Sequence, residues 1–339
     1  MNSKAYKVIF MILGIFTLGF MIYKLGFREI VENIEKTGGW FVPIIGSWLA
    51  IYILNAFAFK QIIQEPALPI TNLPFLTVLR LTITGYAINY ITPFVALGGE
   101  PYRILELKKF VGTNKATSSV LLYGMMHVFS HVIFWMLSIF LILAVVPLEQ
   151  TMIIGCIVAF FAFILIALWF LRIYKKGFTV STFKLLQKVP FLKKRAATFL
   201  IEKQESLQEI DDQIRILYAE RRSRFLKSLL FEVLARVITC AEIYFTAVAI
   251  DLNMSVLEAL IISSASSLFA NIIFFFPMQL GVREGGLALA LKSVGLPAEA
   301  GIFIGIIMRI REIVWIVLGL IWVRLSRSDE SSKDLAGNL

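Results

Sequence analysis

Long apolar runs alternate along the chain with short polar stretches. Runs close to the roughly 20 residues a helix needs to cross a bilayer lie at about 8–25, 40–62, 117–146, 151–172, 226–250 and 299–323. They predict six full spans. Two further apolar segments, about 73–92 and 256–276, end at glycine-rich breaks, and each is followed by a shorter, partly charged helix, about 100–112 and 284–294. These short pieces fall near or below crossing length. The pattern therefore predicts an all-α, polytopic integral membrane protein with two re-entrant helical hairpins, each entering from one face, breaking, and returning to it.

The two breaks match each other weakly. The first carries Pro93, Gly98, Gly99, Glu100 and Arg103; the second carries Pro277, Gly281, Arg283, Glu284, Gly285 and Gly286. In each a glutamate stands seven residues after a proline, and Glu284 follows Glu100 by 184 residues. Val111-Gly112 and Val294-Gly295 echo one another further on. Three predicted spans separate the breaks, and an odd number inverts the second copy. Interrupted segments in corresponding halves point to a transporter site near the midplane, because irregular backbone at that depth must be buried in protein or line a wet cavity. The expected organisation is one transmembrane domain over 1–325, with repeat one at about 73–146, a basic loop at 173–224 and repeat two at about 256–323. A disordered tail is expected over 326–339.

Charge fixes the expected orientation. The sequence has 33 Lys and Arg against 23 Asp and Glu, and much of the excess sits in the 173–224 loop. Basic residues favour the cytoplasmic side. With both termini inside, the loop, the Lys108, Lys109 and Lys115 cluster and the segment from Arg324 to Arg327 all land there. The first apolar run, behind Lys4 and Lys7, lacks a small-residue cleavage pattern and reads as a retained signal anchor. A helix at about 196–222 carries Leu200, Leu207, Ile210, Ile214 and Leu217 on one side. It can lie on the membrane surface, pack across the inner mouth of the bundle, or bind a partner.

A mean hydropathy of +0.81 makes ionised groups inside the apolar segments costly, at least about 2.5–3.5 kcal/mol each near the bilayer centre. Arg80, Glu100, Arg103, Glu106, Arg236, Glu242, Arg283, Glu284, Arg309, Arg311 and Glu312 all lie in or beside such segments. Glu232 and Arg236 can pair along one helix, and Glu242 is near enough to a span end to snorkel. The hairpin residues differ. Pro101 suits a first helical turn, so the helix after the break presents free N–H groups at its tip, an arrangement that attracts phosphate or carboxylate. The candidate substrate-binding set is Glu100, Arg103, Arg283, Glu284, Arg309, Arg80 and Arg236. The candidate hinges are Pro93, Gly98, Gly99, Pro277, Gly281, Gly285 and Gly286. Ser263, Ser267 and Asn271 form a polar stripe, with Thr77, Arg80 and Thr84 as its counterpart.

Other chemistry finds little support. Cys156 and Cys240, the two cysteines, both fall in spans and form no disulfide framework. His127 and His131, the two histidines, are four apart and read as hydrogen-bonding or headgroup-facing residues rather than metal ligands; no cofactor is expected. Walker, nucleophile-elbow and dinucleotide-binding signatures are absent from the sequence, which argues against ATP-driven pumping by this chain alone.

The stretches Thr92-Pro93, Gly98-Gly99-Glu100, Arg103, Pro277 and Gly281-Val282-Arg283-Glu284-Gly285, with Arg309 beyond, resemble the flippase-like membrane domain of lysylphosphatidylglycerol synthases. The resemblance covers roughly 8–323. It implies a polytopic inner-membrane protein that moves a lipid between leaflets. The family's bifunctional members add a soluble aminoacyl-transfer domain, for which the 339 residues leave no room. The expected activity is translocation of a phosphate-bearing lipid, an anionic phospholipid or a polyisoprenoid phosphate, without an ATPase or a synthase domain. Rival readings are a small-solute or ion transporter and a membrane-embedded lipid transferase. Expected partners are the lipid, a second copy of the chain or a separate lipid-modifying enzyme; nucleic acid is not among them.

Overall fold

A computed structural model describes residues 12, 16, 19–24, 26–92, 98–177, 179–188, 193–272 and 282–336. Its named helices are α1 (Phe27–Thr37), α2 (Phe41–Ile63), α3 (Phe75–Ile91), α4 (Gly99–Val111), α5 (Thr113–Val145), α6 (Gln150–Lys176), α7 (Thr179–Leu186), α8 (Lys193–Glu202), α9 (Gln204–Ala219), α10 (Arg222–Ala249), α11 (Val256–Ile272), α12 (Val282–Ser293) and α13 (Ala300–Ala336). No strand occurs among the described residues. Most of the predicted 8–25 span lies outside them. So do Pro93, Pro277 and Gly281.

Three described stretches, Phe27–Ile63, Thr113–Val145 and Gln150–Lys176, are long and apolar enough to cross a membrane. Helices α10 and α13, at 28 and 37 residues, have the length as well but carry charges along one face. Helix α13 runs on through Ala336, where the sequence suggested a disordered tail. The polar residues there include strong helix formers, and nothing in the segment breaks the ladder begun in the apolar part.

Helices α3 and α11 have 17 residues each, α4 has 13 and α12 has 12. At 1.5 Å per residue even the longest rises about 25 Å, short of the ~30 Å hydrocarbon core. Helix α4 doubles back along α3. Asn89 at the far end of α3 accepts from the Gly99 N–H at 2.7 Å, Arg103 one turn later reaches the Thr82 carbonyl at 3.4 Å, and α4 also packs on the 3-10 turn Pro69–Thr71 that precedes α3. The crossing is tight. A Cβ on Gly99 would run into the Gly85 carbonyl, and one on Gly85 would run into the Arg103 guanidinium. Glycine at both positions lets the backbones touch.

The helix boundaries themselves repeat. Shifted by 184 residues, 41–63, 75–91 and 99–111 become 225–247, 259–275 and 283–295, against observed helices at Arg222–Ala249, Val256–Ile272 and Val282–Ser293. The repeat thus begins one helix earlier than the sequence indicated, with α2 matched to α10. These two are the most extensively packed pair in the molecule. Trp40 meets Phe245, Trp48 meets Glu242, Phe57 meets Phe231 and Gln64 meets Arg224. Residue numbers rise on one helix as they fall on the other, so equivalent elements run antiparallel. Two larger apolar clusters are present among the described residues, the first reaching across to Phe225 and Trp315. One unites Phe59, Ile63, Leu81, Val120 and Tyr123; the other unites Ile243, Ile262, Leu287, Leu291 and Ile304.

Helices α6–α9 connect α5 to α10; under the same shift α1 becomes 211–221 and overlaps α9. In α6 only Phe170 and Tyr174 are buried, so nearly the whole helix faces outward. The amphipathic helix predicted at 196–222 is divided between α8 and α9. Its apolar face (Leu207, Ile210, Ile214, Leu217) is buried, with α9 packed on α5, α6 and α10. Asp211 on the same helix accepts from the Thr179 and Val180 N–H groups at 2.7 and 3.1 Å, capping α7. Gly177 comes so close to that carboxylate, at φ 75°, that another residue would not fit.

Candidate functional site

The two halves enclose a cavity of about 740 Å³, within the ~300–1,000 Å³ range of ligand sites. Its polar side is built by α2 (Trp48, Asn55), α3 (Tyr86, Asn89, Tyr90), α4 (Glu100), α10 (Arg236, Thr239, Glu242) and the second half's Arg283, Arg311 and Glu312. Helices α5 and α6 add a mainly apolar wall, Leu121, Met125, Val128 and Phe134 with Trp169, Phe170 and Ile173, into which α5 also brings His127 and His131. Val128 and Trp169 are 50% and 58% exposed, so this wall reaches the outer surface of the bundle.

One ion network ties the second hairpin to the central pair. Arg311 donates to both oxygens of Glu242, at 2.8 and 3.1 Å, and its guanidinium lies 3.6 Å from the Trp48 ring centroid. Trp48 Nε1 donates to Glu242 Oε2 at 2.7 Å. Glu312 accepts from Arg283 and from Arg309 (3.3 Å), and Arg309 also bonds Glu284 at 3.4 Å. Glu242, Arg309, Arg311 and Glu312 are all buried. Charges at that depth persist only in fully paired sets. Snorkelling of Glu242 to a span end, one sequence expectation, is therefore corrected. The residue faces inward on α10, and Glu232, Arg236, Thr239 and Glu242, spaced by four, three and three, share one helical face.

A second network joins the first hairpin to α5 and α10. Glu100 accepts from Arg103 and from Asn89, both at 3.2 Å. The Arg103 guanidinium lies over the rings of Tyr86 (4.9 Å) and Tyr123 (5.3 Å), a cation–π arrangement. The Tyr86 hydroxyl contacts Tyr123 and His127 Nδ1, both at 3.1 Å. His127 Nδ1 lies 2.8 Å from Glu232 Oε2, and Arg236 reaches His131 Nε2 at 3.1 Å. Glu232 and Arg236 do approach each other along α10, at 3.7 Å. The two histidines thus occupy hydrogen-bonding positions.

Of the candidate binding residues, the structure brings Glu100, Arg236 and Arg283 to the cavity. Arg103, Glu284 and Arg309 stand one layer behind, each on a salt bridge, and Arg80 is not among the lining residues. The tip of α4 differs from a bare anion site, because Asn89 takes the Gly99 N–H. Ser263, Ser266, Ser267 and Asn271 line the cavity, as the stripe on α11 suggested. The counterpart stripe does not; Thr84 turns back to the Arg80 carbonyl at 2.7 Å, and Tyr86, Asn89 and Tyr90 present the other face of α3. The sequence reading missed Trp48, Tyr86 and Tyr90 as site residues. Aromatic side chains in spans carry no signal that separates lining from packing.

The described residues thus form an all-helical bundle around a charged cavity, with three stretches long and apolar enough to cross a membrane. The model of the lysylphosphatidylglycerol synthase TM region matches residues 6–320, and the chain belongs to that family. No curated protein and no solved structure matches it.

Proposed function

We propose that the chain is a transporter that moves a phosphate-bearing lipid between leaflets of a bacterial inner membrane, with residues 1 and 339 both on the cytoplasmic side and no ATPase motif of its own. The observation that carries this reading is the two-faced cavity. Arg236 offers a phosphate its counter-charge, with Arg283 and Arg311 beside it on carboxylates, while the α5–α6 wall, exposed at Val128 and Trp169, gives acyl chains an apolar path to the bilayer. A sealed, wholly polar vestibule would have suited a small solute better. The short pairs α3–α4 and α11–α12 are read as re-entrant hairpins whose antiparallel relation suits alternating access. Glu100 competes with the phosphate for Arg103, or holds a headgroup amine.

The test is transbilayer movement of fluorescent phosphatidylglycerol in liposomes holding the purified protein. Glu100→Gln and Glu242→Gln are expected to slow it at least about tenfold, the loss of roughly one charge-assisted contact. Unchanged rates in both would remove the site assignment. No movement with the unaltered protein, together with uptake of a water-soluble anion, would replace the lipid by a solute; appearance of a modified lipid would make the chain a transferase.

A further inference from the structure

Most arginines around the cavity are already held by carboxylates. Arg311 is bidentate on Glu242, Arg309 bridges Glu284 and Glu312, Arg283 is on Glu312, and Arg103 is on Glu100 and stacked between two tyrosines. Arg236 differs. Its carboxylate, Glu232, stands 3.7 Å away and is taken at 2.8 Å by His127. Its guanidinium is spent instead on imidazole nitrogens, at 3.1 Å on His131 Nε2 and at 3.2 and 3.4 Å on the two nitrogens of His127. Arg236 Nε and His131 Nδ1 are buried polar atoms with no protein partner.

The protonation pattern follows from these partners. A guanidinium only donates, so His131 Nε2 is bare and its proton sits on Nδ1. His127 Nδ1 faces the Glu232 carboxylate and carries its proton there, which leaves Nε2 bare toward Arg236. Both imidazoles are therefore neutral, and Arg236 with Glu232 sums to zero. A phosphodiester entering beside Arg236 brings one negative charge and takes the guanidinium N–H groups from the two bare nitrogens. One proton gained by either imidazole then restores neutrality and turns a displaced acceptor into a donor to the phosphate.

We propose that Arg236, His127 and His131 form the phosphate seat of the cavity, and that filling it draws about one proton onto the histidine pair. Thr239 and Ser263, hydrogen-bonded to each other at 2.8 Å, and Ser267, which accepts from Trp135 Nε1, line the same part of the cavity and supply hydroxyls. The charged and titratable groups that face the pair are Tyr86 from α3, Glu100 and Arg103 from α4, Tyr123 from α5 itself, and Glu232 and Arg236 from α10. Helices α6 and α11 contribute Trp169, Phe170 and the serines, which do not titrate in this range. Glu100 is held on Arg103 and Glu232 on His127, so the proton demand is assigned to the imidazoles, and the double histidine variant below separates them from the two carboxylates. The inference rests on the lipid-binding reading of this cavity but is separable from it. Lipid movement in liposomes reports the one, and protons taken up on binding report the other.

The full chain in lipid nanodiscs without anionic lipid is titrated with phosphatidylglycerol in a weakly buffered solution containing a pH indicator. A parallel arm uses dimethyl phosphate, a tail-less phosphodiester whose own charge is fixed. About one proton is expected per bound lipid, with affinity rising about tenfold for each unit the pH falls above the imidazole range. His127→Gln with His131→Gln is expected to abolish the uptake, and Arg236→Met to abolish binding of both probes. Binding and proton uptake with dimethyl phosphate, with no binding of the lipid, keeps the seat and assigns it to a free anion. Lipid binding by the unaltered protein with no proton taken up, or with pH-independent affinity, overturns the proposal; that measurement needs no variant to fold.

Discussion

Arg311 shows most clearly how single residues in this bundle depend on each other. It is fully buried, bidentate on Glu242 and stacked on Trp48. Removing one partner leaves a bare charge where solvation is poor. Arg311→Ala is expected to cost about 3–5 kcal/mol, seen as a large fall in the thermal midpoint of detergent-solubilised protein. Arg311→Met combined with Glu242→Gln is expected to recover much of that, because the pair is removed together, and a double-mutant cycle reads the coupling. A steric case lies at Gly85 and Gly99. A methyl at either drives into the opposing hairpin helix or Arg103, at an expected cost of about 1–3 kcal/mol, read from the same melting curves.

At the scale of elements, the connection ahead of α3 is pinned by Glu65. Its carboxylate takes Lys115 at 2.8 Å and lies 3.7 Å from Arg221. Burial pushes the Glu65 carboxyl up, but the Lys115 hydrogen bond and the two cations outweigh it and hold it below its ordinary range. A depressed folded-state value means the clasp stabilises fully above the ordinary carboxylate range and is lost as pH falls through the folded value. Acid should therefore loosen the start of α3 and α5 first, detected as earlier hydrogen exchange there, and Glu65→Gln should remove that pH dependence. Helix α9 is held by its apolar face, where each buried aliphatic side chain is worth about 1.5–3 kcal/mol. Ile214→Asp is expected to expose 188–222 to protease while the apolar helices keep their circular dichroism.

Across the whole molecule, the sequence displayed the helices plainly and the contacts only partly. The spans at 40–62, 117–146, 151–172, 226–250 and 299–323 fall on α2, α5, α6, α10 and α13, because apolar length is the signal a bilayer imposes. The repeat was visible only at its glycine-rich breaks. Its extension to α2 and α10 is hidden, since those helices share length and place in the repeat rather than residues, and run in opposite directions. Glu100, Arg236 and Arg283, which stand out because charge in apolar sequence is rare, line the cavity. Which arginine is held by which glutamate depends on helix rotation. That is why Arg103 and Arg309 were placed at the site when they stand behind it, and why His127 and His131 drew little weight.

Helix α9 lies on α5, α6 and α10 at one end of the bundle, and the short α1 lies on α10 and α13 at the other. Rocking of the halves, as the proposed translocation requires, would have to lift α9 to open the first end and α1 to open the second. The α9 contact is the more extensive, so the resting protein should lean toward keeping that end shut. Thiol-reactive probes would find cysteines placed among the cavity residues faster from the α1 face, and Ile214→Asp should even the two rates.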